Sequence, residues 1–296
     1  MSGIILINKP VGITSTECVR LVRTKFDNIK TGHTGTLDST ASGLLIVLTG
    51  NATRLSNFLM ALPKVYVAEV KLGAETDTND YAGEIINSGS FEHVNENLID
   101  DVLYKFMGLR EQVPPEISAL KINGQPAHEL KRSGQDVRLT PRPIMIYEIK
   151  RVSDYDKQNG IFKLQIKCGR GTYIRSIARD IGRIFNCGAH LKSLKRISTG
   201  IFNIFDENIN SPDAENFKIT PVQKAALNFN SVLLSEYGDK KFFNGSNVFA
   251  SEIKIFRPCQ DFISNSKICV VNKTKFGFAE LKANYLKPFA IVPVLN

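Results

Sequence analysis

The segment KTGHTGTLDSTASG, residues 30–43, combines three glycines with many small hydroxyl side chains and has too few apolar residues for a helix or a strand. The apolar run Leu44–Leu48 follows at once and predicts a buried strand, and a helix is predicted over about Arg54–Ala61. Because regular elements border the segment closely, we expect an ordered loop inside a folded domain. Taken alone, Asp38 in this loop is typical of a turn-forming carboxylate, and His33 of a surface histidine.

Outside this loop, the sequence pattern predicts helices and strands within the same domain. Thr14 and Glu17 form a capping box that opens a helix through about Phe26. The remaining elements predicted before residue 230 are strands over Gly3–Ile7, Val65–Leu72, Arg142–Val152 and Ile161–Cys168 and a helix over about Asn97–Phe106. This set of elements indicates a mixed α and β domain.

From about Ser231 the pattern changes to short strands separated by Gly, Asn, Lys and Pro. These strands are predicted near Asn247–Phe256, Lys267–Val271, Phe276–Leu281 and Ala290–Val294. A run of such short strands favours a small β-barrel. We therefore predict a first domain over residues 1–230 and a second over 231–296, which a chain of 296 residues can accommodate.

The composition excludes several classes of protein. Hydrophobic residues make up 43% and charged residues 23% of the chain, and the mean hydropathy is -0.10, which is typical of a globular protein rather than a disordered or coiled-coil one. The longest uninterrupted aliphatic run, Leu44–Leu48, is far shorter than the roughly 20 residues of a membrane span. The N-terminus has neither a basic region nor an apolar stretch long enough for a signal peptide, so we expect a cytoplasmic protein.

The cysteine and glycine patterns predict neither a metal site nor a nucleotide cofactor. The five cysteines form no C-x-x-C pair and lie at no short spacing to the four histidines, so we expect reduced thiols without zinc or a disulfide framework. The phosphate-binding patterns GxGxxG and GxxxxGK(S/T) do not occur in the sequence. We therefore expect that the protein needs no cofactor and no metal.

The chain has a net charge of +9, and this excess is unevenly distributed. Residues 75–101 contain eight acidic and no basic side chains, whereas residues 163–196 contain nine basic side chains and one acidic one. A helix predicted after an N-cap at Thr172 carries Arg175, Arg179 and Arg183 on one stripe, at i, i+4 and i+8. Such a stripe is either a solvated face with structural ion pairs or a phosphate-binding surface.

Several segments together resemble the TruB family of tRNA pseudouridine synthases. Residues 32–43, GHTGTLDSTASG, resemble the active-site loop of that family, GHTGTLDPxAxG. Further family segments are matched in family order by residues 8–15 (NKPVGITS), 64–66 (KVY), 72–80 (LGAETDTND), 112–121 (QVPPEISALK), 171–175 (GTYIR) and 187–190 (CGAH). Residues 239–248 (DKKFFNGSNV) and 285–293 (YLKPFAIVP) are similar to the PUA-type RNA-binding module that many members carry.

The resemblance implies an α+β fold with a mixed, largely antiparallel central sheet, flanking helices and a small C-terminal PUA-like β-barrel. It also implies an isomerase that converts uridine to pseudouridine in the T-loop of tRNA, at position 55 in tRNA numbering. In such an enzyme Asp38 is the nucleophile, Tyr66 stacks on the target uracil, and Tyr173 and Arg175 flank the carboxylate.

Other positions are assigned by the same resemblance. His33 and Leu194 are implied to line the pocket or to contact the displaced RNA. The sequence departs from the family pattern at Ser39, where proline is usual, and at His128, where tyrosine is frequent. The first departure bears on the rigidity of the loop rather than on the chemistry.

The expected partner is tRNA, bound through its T-arm, with no membrane, no obligatory protein partner and a monomeric enzyme. Phosphate contacts are expected to dominate binding, since they supply most of the affinity of proteins for nucleic acids. The residues predicted to make them are Lys9, Lys64, Lys121, Arg179 and Arg196. The acidic segment 75–101 is expected to face away from the RNA.

The sequence leaves alternatives open. Asp38 can attack C1′ of the ribose, add to C6 of the uracil or abstract a ribose proton, and the residue types fit all three. An RNA-folding assistant that opens the tRNA elbow is a second function, but retention of Asp38, Tyr66 and Arg175 favours an enzyme. A guide-dependent synthase of the dyskerin type is a third, and the order and spacing of the matching segments argue against it.

Overall fold

In a computed structural model the chain forms two compact units. Unit 1 consists of Met1–Asp38, Gly43–Leu62 and Thr199–Asn296, and unit 2 consists of Ser39–Ser42 and Pro63–Ser198. The structure describes residues 2–118, 120–122, 125–126, 139–259, 267–272 and 275–293. The division into domains over residues 1–230 and 231–296 stays a prediction.

The described residues form α-helices, strands and short 3₁₀ turns. The helices are α1 (Ser15–Lys25), α2 (Ser56–Ala61), α3 (Glu96–Tyr104), α4 (Ile174–Ile184) and α5 (Glu236–Phe243). The strands are β1 (Gly3–Lys9), β2 (Thr31–His33), β3 (Ala41–Thr49), β4 (Lys64–Leu72), β5 (Ala74–Thr76), β6 (Ile85–Ser88), β7 (Gly108–Gln112), β8 (Lys121–Ile122), β9 (Gln125–Pro126), β10 (Arg142–Arg151), β11 (Ile161–Cys168), β12 (Ala189–Thr199), β13 (Phe202–Asn203), β14 (Ile209–Asn210), β15 (Ser231–Leu234), β16 (Val248–Phe249), β17 (Ile253–Arg257), β18 (Lys267–Val271), β19 (Lys275–Leu281) and β20 (Tyr285–Pro293).

The N-terminal part of unit 1 is a mixed sheet covered by α1. Strand β1 is antiparallel to β3, with Gly3 opposite Thr49 and Lys9 opposite Gly43, and parallel to β14. Helix α1 begins with the predicted capping box, because the Thr14 hydroxyl accepts from the Glu17 amide while the Glu17 carboxylate accepts from the Thr14 amide. Its apolar side packs Cys18 and Val22 into one core with side chains of β1 and β3.

The C-terminal part of unit 1 is a six-stranded sheet in the order β16-β20-β19-β18-β15-β17. Phe278 of β19 is fully buried, and its ring stacks on Phe58 of α2 with 3.8 Å between centroids and 2° between planes. Phe229 and Phe276 contact Phe278 edge-on at 4.9 and 5.3 Å. Helix α2 and the C-terminal sheet therefore share one aromatic core. That this sheet is a PUA-like barrel stays a prediction.

Loss of the central ring of this aromatic core is expected to destabilise unit 1. We expect Phe278→Ala to lower the free energy of unfolding by about 3–5 kcal/mol, the usual cost of a cavity left by a buried phenylalanine. Phe205→Ala is the control because its side chain is 80% exposed, and it should change that free energy by less than about 0.5 kcal/mol. Urea denaturation of both variants measures the difference, and equal effects would contradict the shared core.

Unit 2 is built on a sheet in which the order is β12-β4-β11-β10-β7. The pairs β4–β11, β11–β10 and β10–β7 are antiparallel, and β5–β6 and β8–β9 form separate antiparallel pairs. Helix α4 packs against β4 and β5, and α3 packs against β10 and α4. The predicted mixed, largely antiparallel sheet with flanking helices is confirmed.

Several details differ from the sequence-based expectations. The helix expected over 54–61 begins as a 3₁₀ turn over Gly50–Leu55 before α2. The loop around Asp38 was expected to be free of regular structure, but β2 and the first residues of β3 form its two ends. Strand β12 was not predicted at all. Within the described ranges, every helix is either too short or too polar to cross a lipid bilayer.

Candidate active site

The loop that carries Asp38 is ordered on its N-terminal side by hydrogen bonds within unit 1. The Ser15 hydroxyl donates to the Leu37 carbonyl at 2.9 Å and accepts from the Leu37 amide at 2.8 Å. His33 lies in β2 opposite Val47, and its Nδ1 accepts from the Gly35 amide at 3.3 Å. These bonds fix the backbone next to Asp38, which is half-buried. The prediction of an ordered loop is confirmed.

The same loop is held on its C-terminal side by Asp80 of unit 2. The Thr40 hydroxyl donates to Asp80 Oδ2 at 3.0 Å, while Asp80 Oδ1 accepts from the Thr78 hydroxyl at 2.8 Å and from the Ala82 amide at 3.1 Å. Asp80 is 5% exposed, so these donors offset the desolvation of its carboxylate. Sequence reasoning missed this residue, although it lies in the acidic segment 75–101.

Two of the three arginines of the α4 stripe, Arg175 and Arg179, are buried rather than solvated, whereas Arg183 is exposed. Arg175 is 6% exposed, and its two terminal nitrogens donate to the carbonyls of Thr78 at 2.9 Å and Ile117 at 3.1 Å. Arg179, also 6% exposed, donates to the carbonyl of Val113 at 2.9 Å and to Asp180 at 2.8 Å. Arg179 also donates to the side-chain oxygen of Asn79 at 3.5 Å, so these two arginines tie α4 to two loop segments, 78–79 and 113–117.

Arg183 forms a structural ion pair with Glu75. This agrees with the first of the two explanations of the stripe, a solvated face with structural ion pairs. The Arg183 guanidinium donates to both carboxylate oxygens of Glu75, at 2.7 and 3.1 Å. This bond raises the pKa of Arg183, since it favours the charged form. Glu75 is therefore buried within unit 2. That the acidic segment 75–101 faces away from RNA stays a prediction.

The N-terminus of α4 differs from the prediction. The N-cap is Tyr173 rather than Thr172, because the Thr172 hydroxyl donates back to the Gly169 carbonyl at 3.1 Å and cannot cap the helix. The side chain of Gln112 instead bonds both backbone groups of Tyr173: its amide donates to the Tyr173 carbonyl at 3.0 Å, and its oxygen accepts from the Tyr173 amide at 2.9 Å. Gln112 thus positions Tyr173 and, through the helix, Arg175, a role that the sequence did not reveal.

Strand β4 carries two of the predicted site residues of unit 2. Tyr66 is opposite Ile166 of β11 and 9% exposed, and Lys64 is opposite Cys168 and 6% exposed. Since α4 packs against β4, the strand of Tyr66 and the helix of Arg175 lie together. Leu194 lies on β12 and is half-buried, and its carbonyl accepts from the Ser42 hydroxyl at 3.4 Å.

The predicted residues are divided between the units. Asp38, His33 and Lys9 belong to unit 1, and the other predicted side chains belong to unit 2. Two arrangements stay predictions. The first is the pairing of Asp38 with Arg175, and the second is a pocket for the target base lined by Tyr66, Tyr173, His33 and Leu194.

Four of the five residues predicted to contact phosphate are buried. Lys9 is fully buried, and its ammonium donates to the carbonyls of Pro10 at 2.8 Å and Ile13 at 2.7 Å. Arg179 and Arg196 are 6% and 3% exposed, and Lys64 is buried as described above. The side chain of Lys121 and the whole of His128 lie outside the described residues. That these five residues contact phosphate stays a prediction. The bonds of Lys9 and Arg179 to backbone carbonyls favour a role in stabilising the loops that carry those carbonyls.

The pKa of Lys64 is lowered to about 8, mainly by burial and in part by repulsion from Arg196 and Arg170. Its strand partner Cys168 shows the opposite shift, since burial raises the pKa of that thiol to about 11. Lys64 therefore releases its proton more easily in the folded chain than in the unfolded chain.

This shift predicts how stability depends on pH. The unfolded chain keeps the Lys64 proton up to about pH 10.5, whereas the folded chain releases it near pH 8, so this group stabilises the fold increasingly as pH rises between these values. Relative to Lys64→Met, the wild-type protein should gain free energy of unfolding between about pH 7.5 and pH 9.5. Urea denaturation of both proteins at the two pH values tests this, and parallel pH profiles would contradict it.

Among the described residues, no group of three or more His, Cys, Asp or Glu side chains is arranged to hold a metal ion. The five cysteines are free thiols, and all except Cys259 are buried.

Comparison with known proteins identifies the family. A model of the family described as TruB family pseudouridylate synthase (N terminal domain) matches residues 22–174. A Clostridium kluyveri protein named tRNA pseudouridine synthase B is 41% identical over 251 residues, which cover 84% of this chain and 86% of that protein. A Prochlorococcus marinus protein of the same name is 36% identical over 300 residues, covering 97% of this chain and 96% of that protein.

Solved structures show the same fold. A chain in the crystal structure of a Cbf5-Nop10-Gar1 complex matches 99% of this chain and 85% of its own length with a TM-score of 0.73 at 23% identity. A chain in the structure of an H/ACA RNP bound to a substrate RNA containing 2'-deoxyuridine gives 0.70 at 22% identity with the same coverage. Because the family model spans more than half of the chain and the relatives span most of it, the chain belongs to the TruB family of pseudouridylate synthases and is an isomerase.

Proposed function

We propose that this enzyme converts uridine to pseudouridine in the T-loop of tRNA, at position 55 in tRNA numbering. The observation that carries the proposal is the agreement between the GHTGTLDSTASG loop and the names of relatives that match nearly the whole chain, which are called tRNA pseudouridine synthase B. The likeness to a chain of a Cbf5-Nop10-Gar1 complex is at 23% identity and concerns the fold alone. From the resemblance of the sequence segments to the TruB family, we also propose a monomer that works in the cytoplasm without an obligatory protein partner.

The reaction breaks the C1′–N1 glycosidic bond, rotates the uracil and joins C1′ to C5, after which C5 loses a proton and N1 gains one. It consumes no oxidant and no water. In this proposal Asp38 is the nucleophile or base, and the three steps open to it are attack on C1′, addition to C6 and abstraction of a ribose proton. Each of these needs an ionised carboxylate held close to the nucleotide.

Arg175 is proposed to keep Asp38 ionised and oriented. A guanidinium has five N–H donors in a fixed plane, of which the carbonyls of Thr78 and Ile117 engage two. In the proposal a further donor bonds Asp38. Because the two carbonyls hold the guanidinium in one orientation, the position offered to the carboxylate is set in advance.

The target base must leave the RNA stack to reach this site, which costs a few kcal/mol. Stacking on an aromatic side chain returns about 1–3 kcal/mol per base, and Tyr66 is proposed to supply it. Tyr173 is proposed to flank the carboxylate, while His33 and Leu194 line the pocket or contact the displaced RNA. The T-arm is proposed to be selected by shape, with help from a PUA-like C-terminal part.

The experiment that tests this function is incubation of the purified protein with an unmodified tRNA transcript, followed by mapping of pseudouridine. The expected product is pseudouridine at a single T-loop position. Binding and opening of the tRNA elbow without any pseudouridine would support the folding assistant instead. Modification that requires an added guide RNA would support the guide-dependent alternative.

Activity is expected to survive removal of divalent metals and small molecules. The reaction transfers no electrons, and neither metal-ligand nor nucleotide-binding spacing occurs in the sequence. Turnover should therefore stay near its initial value after dialysis against EDTA, with the tRNA fold maintained by monovalent salt. Loss of turnover that one divalent ion restores would contradict this expectation.

A further inference from the structure

A cavity of about 370 Å³ opens on unit 2 between the ends of two helices and the edge of the sheet. Its floor is formed by Ile144 and Ile146 of β10, which are 5% and 1% exposed. Phe106, shortly after α3, and Ile184, the last residue of α4, line it as well. Ile184 is 44% exposed, so a ligand in the cavity removes apolar surface from water. A cavity of this size with largely apolar walls can hold a small organic molecule.

The polar side chains in the wall are already engaged by other parts of unit 2. Gln112 bonds both backbone groups of Tyr173, and Asp180 accepts from the guanidinium of Arg179 at 2.8 Å. Arg183 is held in its ion pair. A ligand with many polar edges, such as a nucleobase, would leave some of them unpaired on burial, which is unfavourable. The wall therefore favours a hydrocarbon body.

Two cations border the same cavity. Lys105 directly follows α3, and Arg110 lies in β7 opposite Ile144, so its side chain is on the face of the sheet that borders the cavity. Both side chains are exposed, and within the described part of the chain neither has a hydrogen bond or an ion pair. Glu111 also borders the cavity, but side chains alternate along a strand, so its carboxylate lies on the opposite face of β7. The entrance therefore attracts an anion.

We propose that this cavity binds a small carboxylic acid with a hydrocarbon body, such as a medium-chain fatty acid. The body packs on Ile144, Ile146 and Ile184. Arg110 and Lys105 hold the carboxylate, since a guanidinium fork matches its two oxygens. Two cations beside a wall of low dielectric favour an anionic head group and repel an ammonium. The inference goes beyond the proposed function and does not depend on it, because the ligand binds without RNA.

Three probes with the same eight-carbon chain test the head group: octanoate, octanol and octylammonium. Isothermal titration calorimetry of the full-length protein without RNA measures each Kd. We expect a Kd of about 0.1 mM for octanoate, which its ten non-hydrogen atoms allow, binding of octanol about tenfold weaker, and no detectable binding of octylammonium. Hexanoate, shorter by two CH₂ groups, should bind about tenfold more weakly than octanoate. Equal affinities for octanoate and octanol, or no binding of octanoate at millimolar concentration, would overturn the proposal.

Variants at exposed positions separate the two parts of the site. Arg110→Gln should weaken octanoate binding about tenfold and leave octanol binding unchanged, because it removes a charge and no wall. Ile184→Ser should weaken the binding of both probes alike, by about three- to tenfold, because it removes apolar contact area. Lys157→Gln and Ile85→Ser make the same kinds of change at exposed sites of unit 2 outside the cavity lining and should bind like wild type. Equal effects of Arg110→Gln and Lys157→Gln would mean that net charge alone attracts the acid, and the site would be wrong.

A second copy of this chain is the competing occupant of the cavity. Sedimentation velocity of the wild-type protein, with and without octanoate, distinguishes the two. We expect a monomer in both conditions. A dimer that octanoate or Ile184→Ser dissociates would show that a protein surface fills the cavity, and would overturn its assignment to a small acid.

Discussion

Asp38→Asn is expected to abolish pseudouridine formation while leaving the affinity for tRNA within about tenfold of wild type, since phosphate contacts supply most of the binding. Asparagine keeps the shape of the side chain but loses the negative charge, and each of the three steps open to Asp38 requires that charge. The fold should survive, because the bonds that order the loop are made by Ser15 on one side and Asp80 on the other. Single-turnover assays with excess enzyme, and filter binding of the same transcript, measure the two quantities.

A matched control is available on the surface of the same unit. Asp27 is exposed and has a φ of +46°, a conformation that asparagine tolerates well, so Asp27→Asn makes the same chemical change without strain. Its turnover should equal that of wild type. Residual turnover of Asp38→Asn above about 1% would show that the group is not essential to chemistry, because loss of a well-placed catalytic group costs about 10²-fold or more.

Much of the fold follows from local sequence signals. The capping box at Thr14 and Glu17 marks the start of α1, because both partners lie within one helical turn. Alternating apolar residues predicted β11 with its observed bounds, Ile161–Cys168, because the pattern that marks a half-buried strand lies within the strand itself. The family was identified from the resemblance of the loop around Asp38 to a known motif, because apolar periodicity and capping patterns do not identify a family.

The interactions that sequence reasoning missed are those between distant residues. Strand β12 contains Lys192, Lys195 and Arg196 and has no clear apolar alternation, but its place beside β4 stabilises it as a strand. The N-cap residue of α4 is Tyr173, and its backbone is held by Gln112, 61 residues earlier in the chain, so the predicted N-cap at Thr172 was wrong. The buried state of Arg179 likewise depends on Val113, which only the folded chain brings near it.

Arg175→Lys is expected to lower the single-turnover rate by about 10²-fold or more, although it keeps the positive charge. A lysine ammonium cannot reproduce a planar fork that bonds the carbonyls of Thr78 and Ile117 and still offers a donor to Asp38. It is also more strongly hydrated, and the site is 6% exposed. The orientation of the carboxylate should therefore be lost while its charge partner remains.

Arg179→Lys separates this loss from a structural one. Arg179 lies one turn further along α4, is equally buried and bonds the neighbouring carbonyl of Val113, so its replacement disturbs the same two loop segments. Thermal unfolding should show similar losses of stability for the two variants, whereas the rate at saturating tRNA should fall at least tenfold further for Arg175→Lys, as expected when a group acts on the reacting atoms. Equal falls in rate that follow the falls in stability would mean that both arginines only hold loops, and that Asp38 is oriented by another side chain.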